Sequence, residues 1–415
     1  MTLIRRSPRK ALTLLGLGFA ALFMPLMFTP LVAEAQDVSY IPVVTPNGTT
    51  LSWTVEGGVK VFHLTAEPVK REFSPGFIVN CWGYNGQTPG PTIEAVEGDR
   101  VRIYVTNKLP AATTVHWHGL YLPSGMDGVS GLNQRPILPD ETFVYEFTLR
   151  QSGTHMYHPH YDEMTQIGMG MMGFFIIHPK EPSAEEKVDR DFAIMLHEWF
   201  VPIGGATPNA SVMLDFNYFT FNSTMWPKTE ALVVKKGEKV RVRLANLSMD
   251  SHPIHLHGYE FTVTAQGAQR MPLSARYQAV TVAVPVGDTR ELEFVATEPG
   301  DWAFHCHKTH HVMAGMAHDI PNMLGVDQSG LQEKIRKFLP NYMSMGESGM
   351  GEMFEMGDAM ESPPNYIKIG STGPFGIIQM SGMFTVLKVR ETLNGYNDPG
   401  WYKHPPGTVA EAAKQ

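Results

Sequence analysis

The sequence predicts an all-β protein made of two copies of one sandwich fold. Three observations predict it: short apolar strands between turn residues, a long internal repeat, and histidine pairs that keep step with that repeat. From about residue 50 to 320 the chain consists of runs rich in Val, Ile, Phe and Tyr, punctuated by Gly, Pro, Asn and Asp. Residues 100–106 (RVRIYVT), 143–149 (FVYEFTL), 239–244 (KVRVRL) and 291–295 (ELEFV) are of this kind. Helical periodicity is scarce before residues 331–338. Charged residues make up only 18% of the 415, while Gly and Pro number 39 and 31. That composition argues against coiled coils and charged disordered tails. The net charge of −8 disfavours an electrostatic nucleic-acid binder.

The N-terminus reads as an export signal spanning residues 1–35. Arg5, Arg6, Arg9 and Lys10 precede an apolar stretch at 11–31 broken by Pro25 and Pro30, and Ala33-Glu34-Ala35 offers a small-residue cleavage site. An uncleaved anchor is the alternative, because the stretch is long enough to span a bilayer. Arg5-Arg6 leaves the Sec and twin-arginine routes both open. With cleavage the chain keeps no membrane contact, and the expected location is periplasmic or secreted. Two cysteines cannot build a disulfide framework.

The repeat sets the domains. Residues 92–107 (TIEAVEGDRVRIYVTN) parallel residues 231–246 (ALVVKKGEKVRVRLAN), and the same shift carries His116 onto His255 and His118 onto His257. A slightly larger shift carries Gly153, His158 and His160 onto Gly300, His305 and His307. The charged, Pro-bearing stretch around 180–192 separates the copies, giving domains at 36–185 and 186–415. Past residue 320, Met343, Met345, Met350, Met353, Met356 and Met360 lie among Gly and Glu, too polar for a core. The segment at about 320–378 is therefore an insertion. The closing strand of the second domain arrives late, near 383–389, followed by a C-terminal tail. The alternative is closure by residues 322–326.

Chemistry concentrates in the histidine clusters HWHG (116–119), HPH (158–160), HPIHLHG (252–258) and HCHKTHHVMAGM (305–316). In a strand, residues i and i+2 share a face, so each His-x-His pair aims two imidazoles into one space. A lone pair is more often structural; four pairs at equivalent positions point to a metal cluster. His252, Cys306, His311 and Met316 supply two imidazoles, a thiolate and a thioether, the ligand set of a blue-copper site. Zinc competes by ligand type, and the Met argues for copper. The first domain lacks that set, with Thr113, Pro159 and Met164 in place of His252, Cys306 and His311. Cys81 reads as a buried apolar thiol.

These four signatures, in this order, resemble the multicopper oxidases, as do NGQTPGPTI (85–93), Glu97-Gly98-Asp99 and Asp127-Gly128-Val129. The resemblance covers roughly residues 78–178 and 220–318 and implies two cupredoxin-like Greek-key domains. It implies type 1 copper on His252, Cys306, His311 and Met316, and type 2 copper on His116 and His255. The type 3 pair then falls to His118, His158, His160, His257, His305 and His307. The implied reaction is reduction of dioxygen to water with a phenolic or Cu(I) donor. Asp127 is the candidate proton relay, or else a turn residue of an Asp-Gly pair. A copper-storage or electron-transfer protein without oxygen chemistry is the competing class. A two-domain nitrite reductase is a third, disfavoured because its type 1 site sits in the first domain. The family's usual middle domain is missing, so a homotrimeric ring that joins half-sites from neighbouring chains is expected.

Overall fold

The computed structural model describes residues 40–202, 204–313, 325, 327, 329–338, 340 and 370–413. The segment read above as an export signal, Met316 and the methionines at 343–360 lie outside the described residues. Period-two burial makes the strands. In residues 100–107, Val101, Ile103 and Val105 are buried while the residues between them lean outward.

The first unit runs through β1 (Trp53–Glu56), β2 (Val59–Ser74), β3 (Phe77–Tyr84), β4 (Gly90–Val96), β5 (Arg100–Asn107), β6 (His116–His118), β7 (Thr142–Thr148), β8 (Gly153–His158) and β9 (Gly173–His178). A short helix, α1 (Glu163–Gly168), lies between β8 and β9. One sheet has the order β1-β2-β5-β7 with β3 added on β2; the other has the order β4-β9-β8-β6. Phe62, Ile103, Trp117, Tyr145, Tyr157 and Phe175 fill the space between them.

The second unit repeats the plan. It comprises β10 (Arg190–Trp199), β11 (Tyr218–Phe221), β12 (Leu232–Lys235), β13 (Lys239–Asn246), β14 (His252–Leu256), β15 (Phe261–Gln266), β16 (Gln269–Arg270), β17 (Tyr277–Ala279), β18 (Thr281–Val284), β19 (Thr289–Val295) and β20 (Gly300–Cys306). Then come α2 (Ser329–Arg336), the small hairpin β21 (Ser371–Gly373) and β22 (Gly376–Ile378), and β23 (Phe384–Arg390). The sheet that carries His252 and Cys306 has the order β12-β23-β20-β14-β18. β23 pairs parallel with β12 and antiparallel with β20, as β9 does with β4 and β8. Both sandwiches are all-β, each two sheets packed over its own apolar core.

A third core welds the units together. β2 is twice the length of its partner β5: its first half pairs there, and its second half forms a hairpin with β3. That hairpin buries Val69, Phe73, Phe77, Val79 and Cys81 against Ala193, Met195 and Trp199 of β10 and against Tyr218 and Met225. Arg71 adds hydrogen bonds to the carbonyls of Asn47, Asn222 and Ser223. Fully buried apolar contact on this scale, at roughly 25 cal/mol per Å², leaves no free hinge between the sandwiches.

Candidate metal centre

In the first unit β6 pairs with β8 so that His116 lies opposite His158. Trp117 points into the core, which turns His116 and His118 to the other face. The rings of His116, His118, His158 and His160 gather with centroids between 5.3 and 6.4 Å apart. In the second unit β14 pairs with β20, setting His255 opposite His305. The rings of His255, His257, His305 and His307 lie between 4.7 and 5.7 Å apart.

Backbone carbonyls fix the ring orientations. A carbonyl only accepts, so each Nδ1 bonded to one carries the proton, and Nε2 keeps its lone pair for a ligand. His116 Nδ1 donates to the Asp127 carbonyl at 2.8 Å and His158 Nδ1 to that of Pro159 at 2.9 Å. His255 Nδ1 donates to Val280 at 2.7 Å and His305 Nδ1 to Cys306 at 2.8 Å. The close approach of Asp127 depends on Gly128, whose φ of 85° and contact with the Val115 carbonyl exclude a side chain. The Asp127 carboxylate itself stands 3.5 Å from His116 Nδ1.

Cys306 points to the opposite face from His305 and His307, into a fully buried site. Its Sγ lies 3.8 Å from His252 Nδ1 and 3.5 Å from His311 Nδ1, and the two nitrogens are 3.1 Å apart. An ion about 2.0–2.1 Å from two imidazoles and about 2.3 Å from a thiolate sets N···N near roughly 3.3 Å and N···S near roughly 3.5–3.8 Å. The three ligand atoms thus stand at the spacing that one tetrahedral or trigonal ion imposes. Nitrogen pairs at 3.2 Å (His118 Nδ1, His158 Nε2) and 3.1 Å (His257 Nε2, His305 Nε2) fit metal binding in the two histidine sets equally. Burial lowers the pKa of His252 and of His158 to about 3, keeping both neutral as ligands must be. Burial also pushes the Cys306 thiol up to about 12, so metal binding there must displace a proton.

The sequence did not reveal the residues around this buried site. His252 Nε2 lies 2.7 Å from Ser248 Oγ, which donates on to Asn246. Phe219 stacks on His311 at 3.9 Å. Glu198 Oε1 lies 3.7 Å from His252 Nε2 and 3.8 Å from His311 Nε2, and among the described residues it has no hydrogen-bond partner. Burial, reinforced by Asp250, raises its pKa to about 7. Glu198 lines a cavity of about 560 Å³ together with Met164, Met213, Phe216 and Met249, and the first histidine set lines the same cavity. Glu163, at the start of α1, stands 3.6 Å from His158 and 3.8 Å from His160. Only a motif for carboxylates near the clusters could have flagged these acids, and none has a fixed spacing.

The two histidine sets do not meet. Among the described residues, no ring contact or hydrogen bond joins His116, His118, His158 or His160 to His255, His257, His305 or His307.

Family models described as multicopper oxidase match residues 66–182 and 204–323. Copper resistance protein A of Pseudomonas syringae pv. tomato is 44% identical over 115 residues, covering 28% of this chain and 18% of that protein. Laccase-15 of Oryza sativa subsp. japonica is 31% identical over 235 residues, 52% of this chain and 38% of its own. The chain thus spans well under half the length of these relatives. Among solved structures, the multicopper oxidase mgLAC superposes with a TM-score of 0.60 at 27% identity, covering 82% of this chain and 91% of its own. The blue copper oxidase from Nitrosomonas europaea gives 0.58 at 25% identity, covering 79% and 85%. With two matched domains in tandem and the ligand atoms converging as described, the chain belongs to the multicopper oxidases.

Proposed function

We propose that this protein couples one-electron oxidation of a phenolic or metal-ion donor, such as Cu(I), to the four-electron reduction of dioxygen to two waters. One observation carries the reading: β20 ends in His305 and Cys306, with His307 next in the chain, so the buried donor-side site and the oxygen-side site draw on consecutive residues. Copper is the family's cofactor, and when bound in its three types it accepts electrons singly and delivers four to oxygen. His252, Cys306 and His311, with Met316, would hold type 1; His116 and His255 would hold type 2. His118, His158, His160, His257, His305 and His307 would hold the type 3 pair. Storage or electron transfer alone would not require two histidine sets in repeat register.

The chain's own groups handle donor and protons. The cavity that Glu198 lines admits a donor beside the carboxylate that contacts His252 and His311, and that carboxylate would accept the proton a phenol sheds on oxidation. The Asp127 carboxylate is partly exposed and lies beside His116, where it passes protons toward oxygen. The methionines at 343–360 supply soft thioethers suited to Cu(I).

Two units, 36–185 and 186–415, each carry half of the oxygen-side ligands. Their welded contact keeps the halves apart within one chain, which supports a homotrimer in which each first unit meets a neighbour's second unit. The export signal fits a periplasmic or secreted protein, and among the described residues no helix is long and apolar enough to cross a membrane. The test combines copper content, oxygen uptake with a phenol and with Cu(I), and mass by light scattering. Uptake and copper in a trimer are expected. A monomer with full oxygen-reducing activity overturns the shared site.

A further inference from the structure

The mechanism leaves unused a buried charge network where the two sandwiches touch. Arg243, on β13, clasps both carboxylate oxygens of Asp191 at 2.8 Å. Its Nη1 donates to Glu291 Oε1 and to Thr154 Oγ1, each at 2.7 Å, and Thr154 Oγ1 donates to the same Glu291 oxygen at 2.7 Å. Arg241 and Arg270 close the network on Glu293 at 2.8 and 2.7 Å. Every one of these groups except Thr154 belongs to the second unit. Arg243, Asp191, Glu291 and Thr154 are all buried, with Thr154 wholly so.

Thr154 lies on β8, the strand that ends in His158 and pairs with His116. The start of β8 is pressed onto the second unit at the backbone as well. Thr154 N donates to the Ala268 carbonyl at 3.2 Å, and Gly153, at φ 143°, leaves no room for a side chain against that carbonyl. The His118 ring, at the end of β6, also lies beside Gly287 of the second unit. The first unit's ligand strands therefore rest on fixed points of the second.

A buried ion network is a poor source of net stability, because desolvation offsets the attraction. It does enforce one geometry, since every donor and acceptor must stay paired. We infer that the Thr154–Arg243–Glu291 contact is a positioning device: it holds β8 in one place on the second unit, and so sets where His158 and its partners face. The inference rests on the oxidase reading for its effect on turnover, but not for its effect on β8 itself.

The test compares Thr154→Val, which keeps the shape and removes the hydroxyl, with Thr154→Ser, which restores it. In Thr154→Val we expect an unchanged visible band from the Cys306 site, loss of the type 2 spectroscopic signal, and oxygen uptake lowered about tenfold. Thr154→Ser should recover both. In metal-free protein, amide exchange along β8 should quicken in the Val variant and return in the Ser variant. If the wild type consumes no oxygen, the exchange experiment alone still decides the inference. Unchanged β8 exchange in Thr154→Val would overturn it, as would a parallel loss of the visible band, which marks a general folding defect.

Discussion

The same place in the two sandwiches is filled in two ways. In the second, His252, Cys306 and His311 bring three ligand atoms to one point. In the first, Thr113, Pro159 and Met164 occupy those positions, and the space is closed by a neutral pair: Thr113 Oγ1 donates to Gln166 Oε1 at 2.6 Å, and Gln166 Nε2 donates to the Ala112 carbonyl at 2.8 Å. Both side chains are fully buried. The fold supplies a buried slot between the strand that carries the first histidine pair and the loop after the second. Whether the slot binds metal or hydrogen-bonds to itself is decided by three side chains. On the outward face the comparison reverses, because the two histidine sets are alike in number, spacing and carbonyl-fixed tautomer.

The largest effect should separate the two faces. Cys306→Ser is expected to bleach the visible band and cut oxygen uptake by about 100-fold or more, with type 2 copper retained. His160→Ala should do the converse, sparing the band while lowering uptake by about 10–100-fold. Absorbance and oxygen-electrode traces on both variants check this. A band that survives Cys306→Ser breaks the assignment of the slot.

A smaller effect concerns two of the buried imidazoles outside the ligand sets, one from each unit. Burial lowers the pKa of His155 and of His197 to about 4. Their unfolded value is near 6.5, so between these limits the unfolded chain binds protons that the folded chain refuses. Stability is therefore complete above about pH 6.5 and falls as pH drops toward 4, by about 1.4 kcal/mol per unit for each ring. Denaturant midpoints of metal-free protein from pH 4 to 7 should show this slope, and His155→Phe or His197→Phe should each remove part of it. A slope untouched by both substitutions would refute the account.

The smallest effect tests the filled slot. Thr113→Val strands one side of buried Gln166 and should cost about 1–3 kcal/mol, a few degrees in Tm, with both copper classes unchanged. A change in the visible band would mean that the two slots are coupled, which sharpens the comparison in a different direction.

The sequence by itself determined the repeat, and with it the plan of the molecule. Period-two strands and two sets of His-x-His pairs can be read locally, because a strand's geometry ties residue i to i+2 without help from the rest of the chain. For the same reason Cys306 between His305 and His307 had to face away from them. The late closing strand could be read from residues 382–389 (GMFTVLKV) of the second copy, which resemble 173–177 (GFFII) of the first. The remaining site groups depended on contacts remote in sequence. Glu198 reaches His252 and His311 from a strand more than fifty residues earlier, Gln166 fills a slot opened by Thr113, and the β2 hairpin packs on β10. None of these leaves a periodic trace, since each partner needs only to be polar, or apolar, in the right place. The physical reason the two histidine sets are held apart came only from the tertiary structure: a core of apolar side chains shared between the units, whose burial no local pattern encodes.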